Sequence, residues 1–235
     1  HPPTSALSAT SGTFSTTLAV TGNTTVGGTL GVTGATTIEG NINLPTANTY
    51  LLGAGHNVFQ VDSTRTYLYG GTNGVQFRSA DNSTVLGAID NLGQMTLPLQ
   101  PAFLVRAAST QSNLATGTVI AFGTEVFDNN ADFASNVFTA PVAGRYQLNV
   151  TMRVDALDQA ATYSRFYLKT SNRNYEAIFD LRGLSGDPAY WTMTIAVLAD
   201  MDASDTAFVE YNQSGGSNQA DIQTAEQSFS GYLVA

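Results

Sequence analysis

Apolar residues recur with a period of twelve in the first part of the chain. The run Phe14–Thr25 aligns over Val26–Thr37, and a third copy begins at Ile38 before Pro45 interrupts it. Within each copy the apolar positions are separated by even numbers of residues, so they share one side of an extended strand. Threonine fills the outward positions, where a β-branched side chain suits a pleated surface. The predicted apolar core consists of Phe14, Leu18, Val20, Val26, Leu30, Val32, Ile38, Ile42 and Leu44.

Strands built from this repeat are not stable alone and need other strands packed beside them. Three aliphatic side chains in twelve residues bury too little apolar surface to offset the backbone entropy of ordering the segment. In a single chain, both edges of each strand would also remain bare. Three identical chains wound around a common axis cover those edges and enclose the apolar positions. The pattern therefore predicts a homotrimeric β shaft, with a single-chain solenoid as the alternative.

The repeat gives way to less regular strands from Tyr50 to Leu99. Val58–Val61 and Thr66–Tyr69 are predicted strands, and Gly70-Gly71 and Asn73-Gly74 are predicted turns. An irregular segment of this kind would fix the register between chains that a perfect repeat leaves free. We therefore predict three regions: a shaft over residues 1–49, a middle segment over residues 50–99 and a head over residues 100–235.

Strand signals recur at short spacing throughout the head, and no window has the pattern of a capped helix. Regular short strands separated by turns are typical of an all-β sandwich or barrel. The predicted strands are Ala102–Ala107, Thr118–Phe122, Asn136–Thr139, Arg145–Val154, Ser164–Thr170, Tyr175–Leu181, Trp191–Leu198, Thr206–Tyr211 and Phe229–Val234.

Composition narrows the range of partners. Nine basic and 18 acidic residues give a formal net charge of −9, which argues against nucleic acid and against anionic membranes. There is no run of about 18 apolar residues, so membrane insertion is not expected.

The chain has no cysteine, which excludes disulfides. It begins with His1 rather than methionine, so we expect a fragment or a processed product.

Two stretches of the first hundred residues resemble known fibres. The unit Leu-x-Val-Thr-Gly-x-Thr-Thr occurs at residues 18–25 and 30–37 and resembles the shaft repeats of bacteriophage tail fibres and related viral fibres. Gly70–Asn82, followed by Ile89–Met95, is similar to a second segment common in such fibres. The resemblance covers most of residues 12–97. It implies a virion protein whose partners include other tail or capsid proteins.

The head carries a second resemblance. Phe138–Leu148 and the closing Phe229–Val234 resemble the globular head of the complement first component q and of the tumour-necrosis-factor superfamily. That family has a trimeric jelly roll, so the resemblance implies a jelly-roll β-sandwich knob at the end of the shaft. The chain departs from the family between Ala156 and Asp187, and around Met201–Asp205.

Aromatic residues of the divergent part are candidates for ligand contact. Aromatic rings with asparagine, glutamine and aspartate nearby suit sugar stacking combined with hydrogen bonding. Packing in the core or between subunits is the alternative. The candidate ligand-binding residues are Tyr163, Tyr167, Tyr175, Tyr190 and Trp191.

An acidic turn in the head offers oxygen ligands. Asp200, Asp202 and Asp205 are the candidate metal ligands, because hard cations such as calcium favour carboxylates. The turn lacks the glycine and distal glutamate of a calcium helix-loop-helix, so a solvated acidic turn is the alternative. No other cofactor is expected.

Catalytic chemistry has little support. The only histidines are His1 and His56, and no cysteine is present, so no nucleophile with an adjacent base can be named. The pairs Asp128/Asp132 and Asp155/Asp158 could flank a glycosidic bond. Aspartate-rich loops between strands are, however, the normal product of turn chemistry. We expect no catalytic residue.

These features together predict a non-enzymatic, homotrimeric bacteriophage fibre protein. It would act outside the cell at the host surface, with its head binding a cell-surface glycan or protein receptor. Three alternatives remain open. The chain could be a structural capsid- or tail-decorating fibre, a bacterial or spore surface protein with a similar head, or a polysaccharide depolymerase.

Overall fold

The computed structural model describes residues 23–27, 29–33, 36, 49–53, 56–61, 64–224 and 227–235, with the backbone alone for residues 49–53, 56–57 and 61. The described residues form β strands, turns and irregular loops, so the all-β prediction is confirmed. No helix in this part of the chain has the length and apolar character needed to cross a membrane.

Eighteen strands make up the described fold. In chain order they are β1 (Thr49–Gly53), β2 (His56–Val61), β3 (Thr66–Leu68), β4 (Val75–Arg78), β5 (Val85–Ile89), β6 (Met95–Thr96), β7 (Ala102–Arg106), β8 (Thr118–Val119), β9 (Thr124–Asp128), β10 (Phe133–Ala134), β11 (Val137–Thr139), β12 (Gly144–Asp155), β13 (Ala161–Thr170), β14 (Asn174–Asp180), β15 (Tyr190–Met201), β16 (Thr206–Gly215), β17 (Asp221–Ile222) and β18 (Ser228–Leu233).

The head is built from two antiparallel sheets. Sheet I has the order β15-β12-β18-β7-β9, and β17 continues the pairing of β12 beyond the end of β18. Sheet II has the order β10-β11-β16-β13-β14, and β8 pairs with β16 next to β11. The arrangement is consistent with the predicted jelly-roll sandwich.

Strict alternation in the long strands creates the core between the sheets. In β12, Tyr146, Leu148 and Val150 are buried while the residues between them are half-buried. This period of two places every second side chain on the inner face of the sheet. Aromatic rings then join the sheets, since Phe103 of sheet I stacks on Phe138 of sheet II with centroids 4.6 Å apart.

The middle segment contains two small antiparallel sheets. Strands β1, β2 and β3 form one sheet, and β4, β5 and β6 form the other. The predicted strands Val58–Val61 and Thr66–Tyr69 correspond to β2 and β3. The two predicted turns, Gly70-Gly71 and Asn73-Gly74, are replaced by a single turn at Thr72 and Asn73, across which Gly71 and Gly74 exchange backbone hydrogen bonds of 3.0 and 2.9 Å.

The predicted shaft strands are not found in the described part of the repeat. Residues 23–27 and 29–33 have no strand pairing, and Val26, Leu30 and Val32 are exposed. A strand needs hydrogen-bonding neighbours, and the single chain supplies none at these residues. The trimeric shaft therefore stays a prediction. The other six residues of its predicted core lie outside the described residues: Phe14, Leu18, Val20, Ile38, Ile42 and Leu44.

Candidate functional site

The five aromatic residues predicted to bind a ligand do not form one surface. Tyr163 and Tyr167 lie on the outward face of β13 in sheet II, opposite the side that carries buried residues. Tyr175 is half-buried on β14 and packs against the core. Tyr190 and Trp191 begin β15 in sheet I, on the other layer of the sandwich. The structure thus separates the five predicted residues into three places.

Strand β13 carries an alternating row of aromatic and cationic side chains on its outward face. We call this row, Tyr163, Arg165, Tyr167 and Lys169, the ladder. The guanidinium carbon of Arg165 lies 4.8 Å from the ring centroid of Tyr163 and 4.4 Å from that of Tyr167. The Lys169 ammonium lies 5.4 Å from the Tyr167 ring. Each cation is therefore placed over an aromatic face, where the ring quadrupole attracts it.

Carboxylates on the neighbouring strands flank the ladder. Tyr167 is directly opposite Glu176 on β14 and Glu210 on β16. Lys169 donates a 2.7 Å hydrogen bond to Glu210, and Asn212 donates one of 2.8 Å to the same oxygen. Partial burial by itself would raise the pKa of Glu210, but these hydrogen bonds outweigh it and lower the pKa. Glu210 therefore stays ionised and holds Lys169 in place.

Arg165 is less completely satisfied than Lys169. Its Nη1 lies 3.3 Å from Glu176, which is longer than the roughly 2.7–2.9 Å of a strong charge-assisted bond. Among the described residues, its Nε is the one buried side-chain nitrogen or oxygen without a hydrogen-bond partner. A guanidinium has five N–H donors and no acceptor. The buried Nε cannot reach a ligand, but the remaining N–H groups on the Nη atoms of Arg165 can still donate hydrogen bonds to acceptor oxygens.

A second aromatic group closes one side of the sandwich. Strands β14 and β15 are the edge strands of the two sheets, and Trp191 stacks on Phe179 across them with centroids 4.1 Å apart. Tyr190 is more exposed and lies over Arg153, whose guanidinium carbon is 5.2 Å from the ring centroid. Arg153 in turn donates hydrogen bonds of 2.7 and 3.0 Å to Asp155. Trp191 thus joins the two sheets, as the packing alternative predicts.

The acidic residues at the end of β15 and in the turn that follows are engaged by other groups of the protein. Asp200 accepts a 2.8 Å bond from Arg173. One carboxylate oxygen of Asp205 accepts bonds from the Asn172 amide, at 3.1 Å, and from the backbone N–H of Asp202, at 2.8 Å. No group of three or more His, Cys, Asp or Glu residues suited to a metal ion occurs in the described part of the chain. The structure does not assemble Asp200, Asp202 and Asp205 into a ligand set.

The carboxylate pairs considered for sugar cleavage hold their own loops. Asp128 accepts hydrogen bonds from the backbone N–H groups of Asp132, at 3.0 Å, and of Phe133, at 2.8 Å. Asp158 accepts one of 2.8 Å from the N–H of Ala160 and is itself buried. Asp155 is engaged with an arginine, as described above. These contacts agree with the turn alternative.

The charged half of the ladder was not predicted from the sequence. Arg165 and Lys169 alternate with the two predicted tyrosines, so the strand pattern already placed all four side chains on one face. The signal lay in that alternation, Tyr-x-Arg-x-Tyr-x-Lys. The contributions of Glu176 and Glu210 depend on strand pairing, which the pattern of a single strand does not specify.

Comparison with known proteins covers the head. Residues 102–234 match the family model of the C1q domain. A solved structure of the globular domain of the zebrafish complement 1qA protein is similar, with a TM-score of 0.46 and 19% identity. That similarity covers 58% of this chain and 98% of the zebrafish chain. No curated protein matches the sequence.

Proposed function

This chain belongs to the C1q-domain family through residues 102–234, and on that premise we propose that it is a non-enzymatic attachment protein. In this proposal three copies form a bacteriophage fibre. The shaft and the middle segment make the stalk, and three heads at its tip bind a glycan or protein receptor on the host surface.

One contrast carries the proposal. The head encloses a continuous core of its own, whereas the described residues before it expose most of their large apolar side chains. A monomeric protein rarely leaves so much apolar surface in contact with water. Further copies of the chain would cover it. The exposed apolar side chains are Val26, Leu30, Val32, Val58, Leu68, Tyr69, Phe77, Leu86, Leu92, Met95, Leu97 and Leu99.

We favour an assembly of three copies. C1q domains typically assemble as trimers. A stalk that joins a trimeric head follows the same axis most simply, because closed cyclic symmetry gives every copy identical neighbours. The heads would then align the stalk strands, whose own energetics are marginal.

The ladder is the part of the head that we assign to receptor contact. Its rings offer apolar faces, and Arg165 offers N–H groups that can donate hydrogen bonds to sugar hydroxyls or backbone carbonyls. Lys169 is neutralised by Glu210 and Arg165 is near Glu176, so the surface does not select strongly for anions. Three such surfaces on one tip increase the overall affinity by avidity, even where each is weak.

Competition for host adsorption tests the proposal. The purified chain should first sediment as a trimer and then block adsorption of the phage to its host. The variant Arg165→Ala should lose most of this competition. The matched control Arg173→Ala, which removes an arginine after the same strand but outside the ladder, should compete like the unaltered protein.

Other outcomes separate the alternatives. A trimer that fails to compete at saturating concentration would favour a decorating fibre without a receptor. Halo formation on capsulated cells would favour a depolymerase. A gene neighbourhood without virion genes would favour a bacterial or spore surface protein. Equal competition by Arg165→Ala and Arg173→Ala would remove the ladder from the receptor contact.

A further inference from the structure

The middle segment contains an apolar groove with a floor of glycine backbone. Its volume is about 460 Å³, and its side-chain walls are supplied chiefly by Leu68, Val75, Phe77 and Ile89. Leu68 and Phe77 are both exposed, so nothing within the described part of the chain fills the space between them. The floor is formed by Gly70, Gly71 and Gly74.

Two of those glycines, Gly70 and Gly74, are required by the local geometry. A Cβ atom at Gly70 would lie 2.8 Å from the backbone carbon of Gly74, and one at Gly74 would overlap the carbonyl oxygen of Ile89. Gly74 also has a φ of +88°, which side-chain-bearing residues rarely adopt. The chain thus keeps side chains out of the floor. The opening remains free for an apolar group from outside.

A leucine is presented on a fixed turn at the edge of the same groove. Asp90 and Asn91 line the groove, and Leu92 follows them at the tip of the turn between β5 and β6. One carboxylate oxygen of Asp90 accepts 2.8 Å hydrogen bonds from the backbone N–H groups of Leu92 and Gln94. Leu92 is nonetheless 78% exposed. The turn is therefore ordered by polar contacts, while the apolar side chain at its tip is largely in contact with solvent.

We propose that Leu92 of one copy inserts into the groove of a second copy of this chain, forming a lock between neighbouring stalks. This inference rests on the homotrimer of the proposed function. In a parallel, in-register trimer, identical residues lie at the same height along the axis. Asn91 lines the groove and Leu92 is the next residue in sequence, so Leu92 lies at about the height of the groove along the axis. The rotation that relates neighbouring copies therefore brings Leu92 level with the groove of the neighbour.

The proposed contact joins two different surfaces, the turn of one copy and the groove of the next. This determines whether the assembly of copies closes into a ring. A heterologous contact of this type forms a ring when the rotation closes, so three copies would form three identical locks. Each groove would be completed by a residue of the next chain. The lock would also fix the register of the stalk, because a slip along the axis moves Leu92 away from the groove.

Cysteine pairs test the lock directly, because the chain has no native cysteine. The double variant Leu68→Cys/Leu92→Cys places one thiol in the groove wall and one on the turn. Under mild oxidation we expect a covalent trimer on a non-reducing denaturing gel, and a single-chain band after reduction. The matched control is Leu86→Cys/Leu92→Cys. Gly87 is paired with the groove residue Phe77, and the exposed Leu86 precedes Gly87 in β5, so it lies on the opposite face of the sheet. This control should remain a single-chain band.

The outcomes distinguish the lock from the proposed function. Leu68, Leu86 and Leu92 are all exposed, so these substitutions leave the core of each chain unchanged. A sedimenting trimer whose Leu68→Cys/Leu92→Cys form gives no covalent trimer would overturn the lock and leave the attachment proposal standing. Equal cross-linking of both pairs would also overturn it, since the groove would then have no special role. A chain that sediments as a monomer would remove both proposals.

Discussion

The phenol of Tyr146 donates a 2.8 Å hydrogen bond to the carbonyl oxygen of Val142, four residues earlier in the chain. The ring of Tyr146 is fully buried and meets Phe138 edge-on, with centroids 5.4 Å apart. The hydrogen bond therefore ties the turn that precedes β12 to the core of the head. Strand β12, which lies between β15 and β18 in sheet I, begins just after this turn.

Removal of this hydroxyl should weaken the head without opening a cavity. We expect Tyr146→Phe to lower the free energy of unfolding by about 0.5–1.5 kcal/mol, the net value of a typical hydrogen bond. Chemical denaturation of the purified protein measures the change. Tyr232→Phe is the control, because Tyr232 is half exposed at the end of β18. Equal stability of Tyr146→Phe and the unaltered protein would contradict a structural role for the bond.

Alkaline pH should destabilise the head through two buried phenols. Burial raises the pKa of Tyr146 and of Tyr211 above the ordinary value of 10.0. Ionisation in the unfolded chain therefore begins at a pH where the folded phenols remain neutral. The stabilisation is fully present below about pH 10 and is lost as the pH rises towards the folded pKa values. Melting temperatures measured from pH 8 to pH 11 should fall more steeply for the unaltered head than for Tyr146→Phe/Tyr211→Phe.

Acidic pH should loosen the loop that Asp158 holds. The backbone N–H groups of Ser217 and Ala160 donate to Asp158 and lower its pKa below the ordinary value of 3.8. Its stabilisation is present above about pH 4 and is lost as the pH falls through the lowered pKa. Asp158→Asn should therefore melt at a lower temperature than the unaltered protein at pH 7. The difference between the two should shrink at pH 2–3, and a constant difference over this range would argue against the carboxylate.

Gly231 allows β18 to pack closely against the core. A Cβ atom at this position would lie 2.6 Å from Leu148 Cδ2 and 2.8 Å from Phe103 Cε1. We expect Gly231→Ala to destabilise the head by about 1–3 kcal/mol, the usual consequence of overpacking. Gly183→Ala is the control, because a Cβ there meets no atom within 4 Å. Thermal melts of the two variants compare them directly.

The sequence pattern was most informative where a strand alternates over many residues. The predicted strand Arg145–Val154 corresponds to β12, Gly144–Asp155, because every second residue there is apolar and buried. Strands β9, β10 and β17 of the head were missed. Strands β10 and β17 have two residues each, so their existence depends on pairing with a distant partner rather than on any pattern of their own. Strand β9 has five residues, but none of them is buried, so it lacks the alternation that marks a strand.

The candidate site was predictable only in part, for the same reason. Tyr163 and Tyr167 could be placed on one face of β13 from their spacing alone. The stacking of Trp191 on Phe179 joins two different sheets, so no local pattern contained it. The ion pair between Lys169 and Glu210 likewise requires the register of β13 against β16. The trimeric shaft stays a prediction, because the strand pairing it requires would come from neighbouring chains.

The position of β18 has a consequence for biosynthesis. It is the last strand of the head to leave the ribosome, yet it lies between β12 and β7 near the middle of sheet I. Until it arrives, those two strands lack their common partner and the nascent head is unfinished. A premature stop codon shortly before Ser228 would therefore disrupt the folding of the whole head, rather than remove one edge strand from it. Translation of each polypeptide through β18 therefore has to precede completion of sheet I.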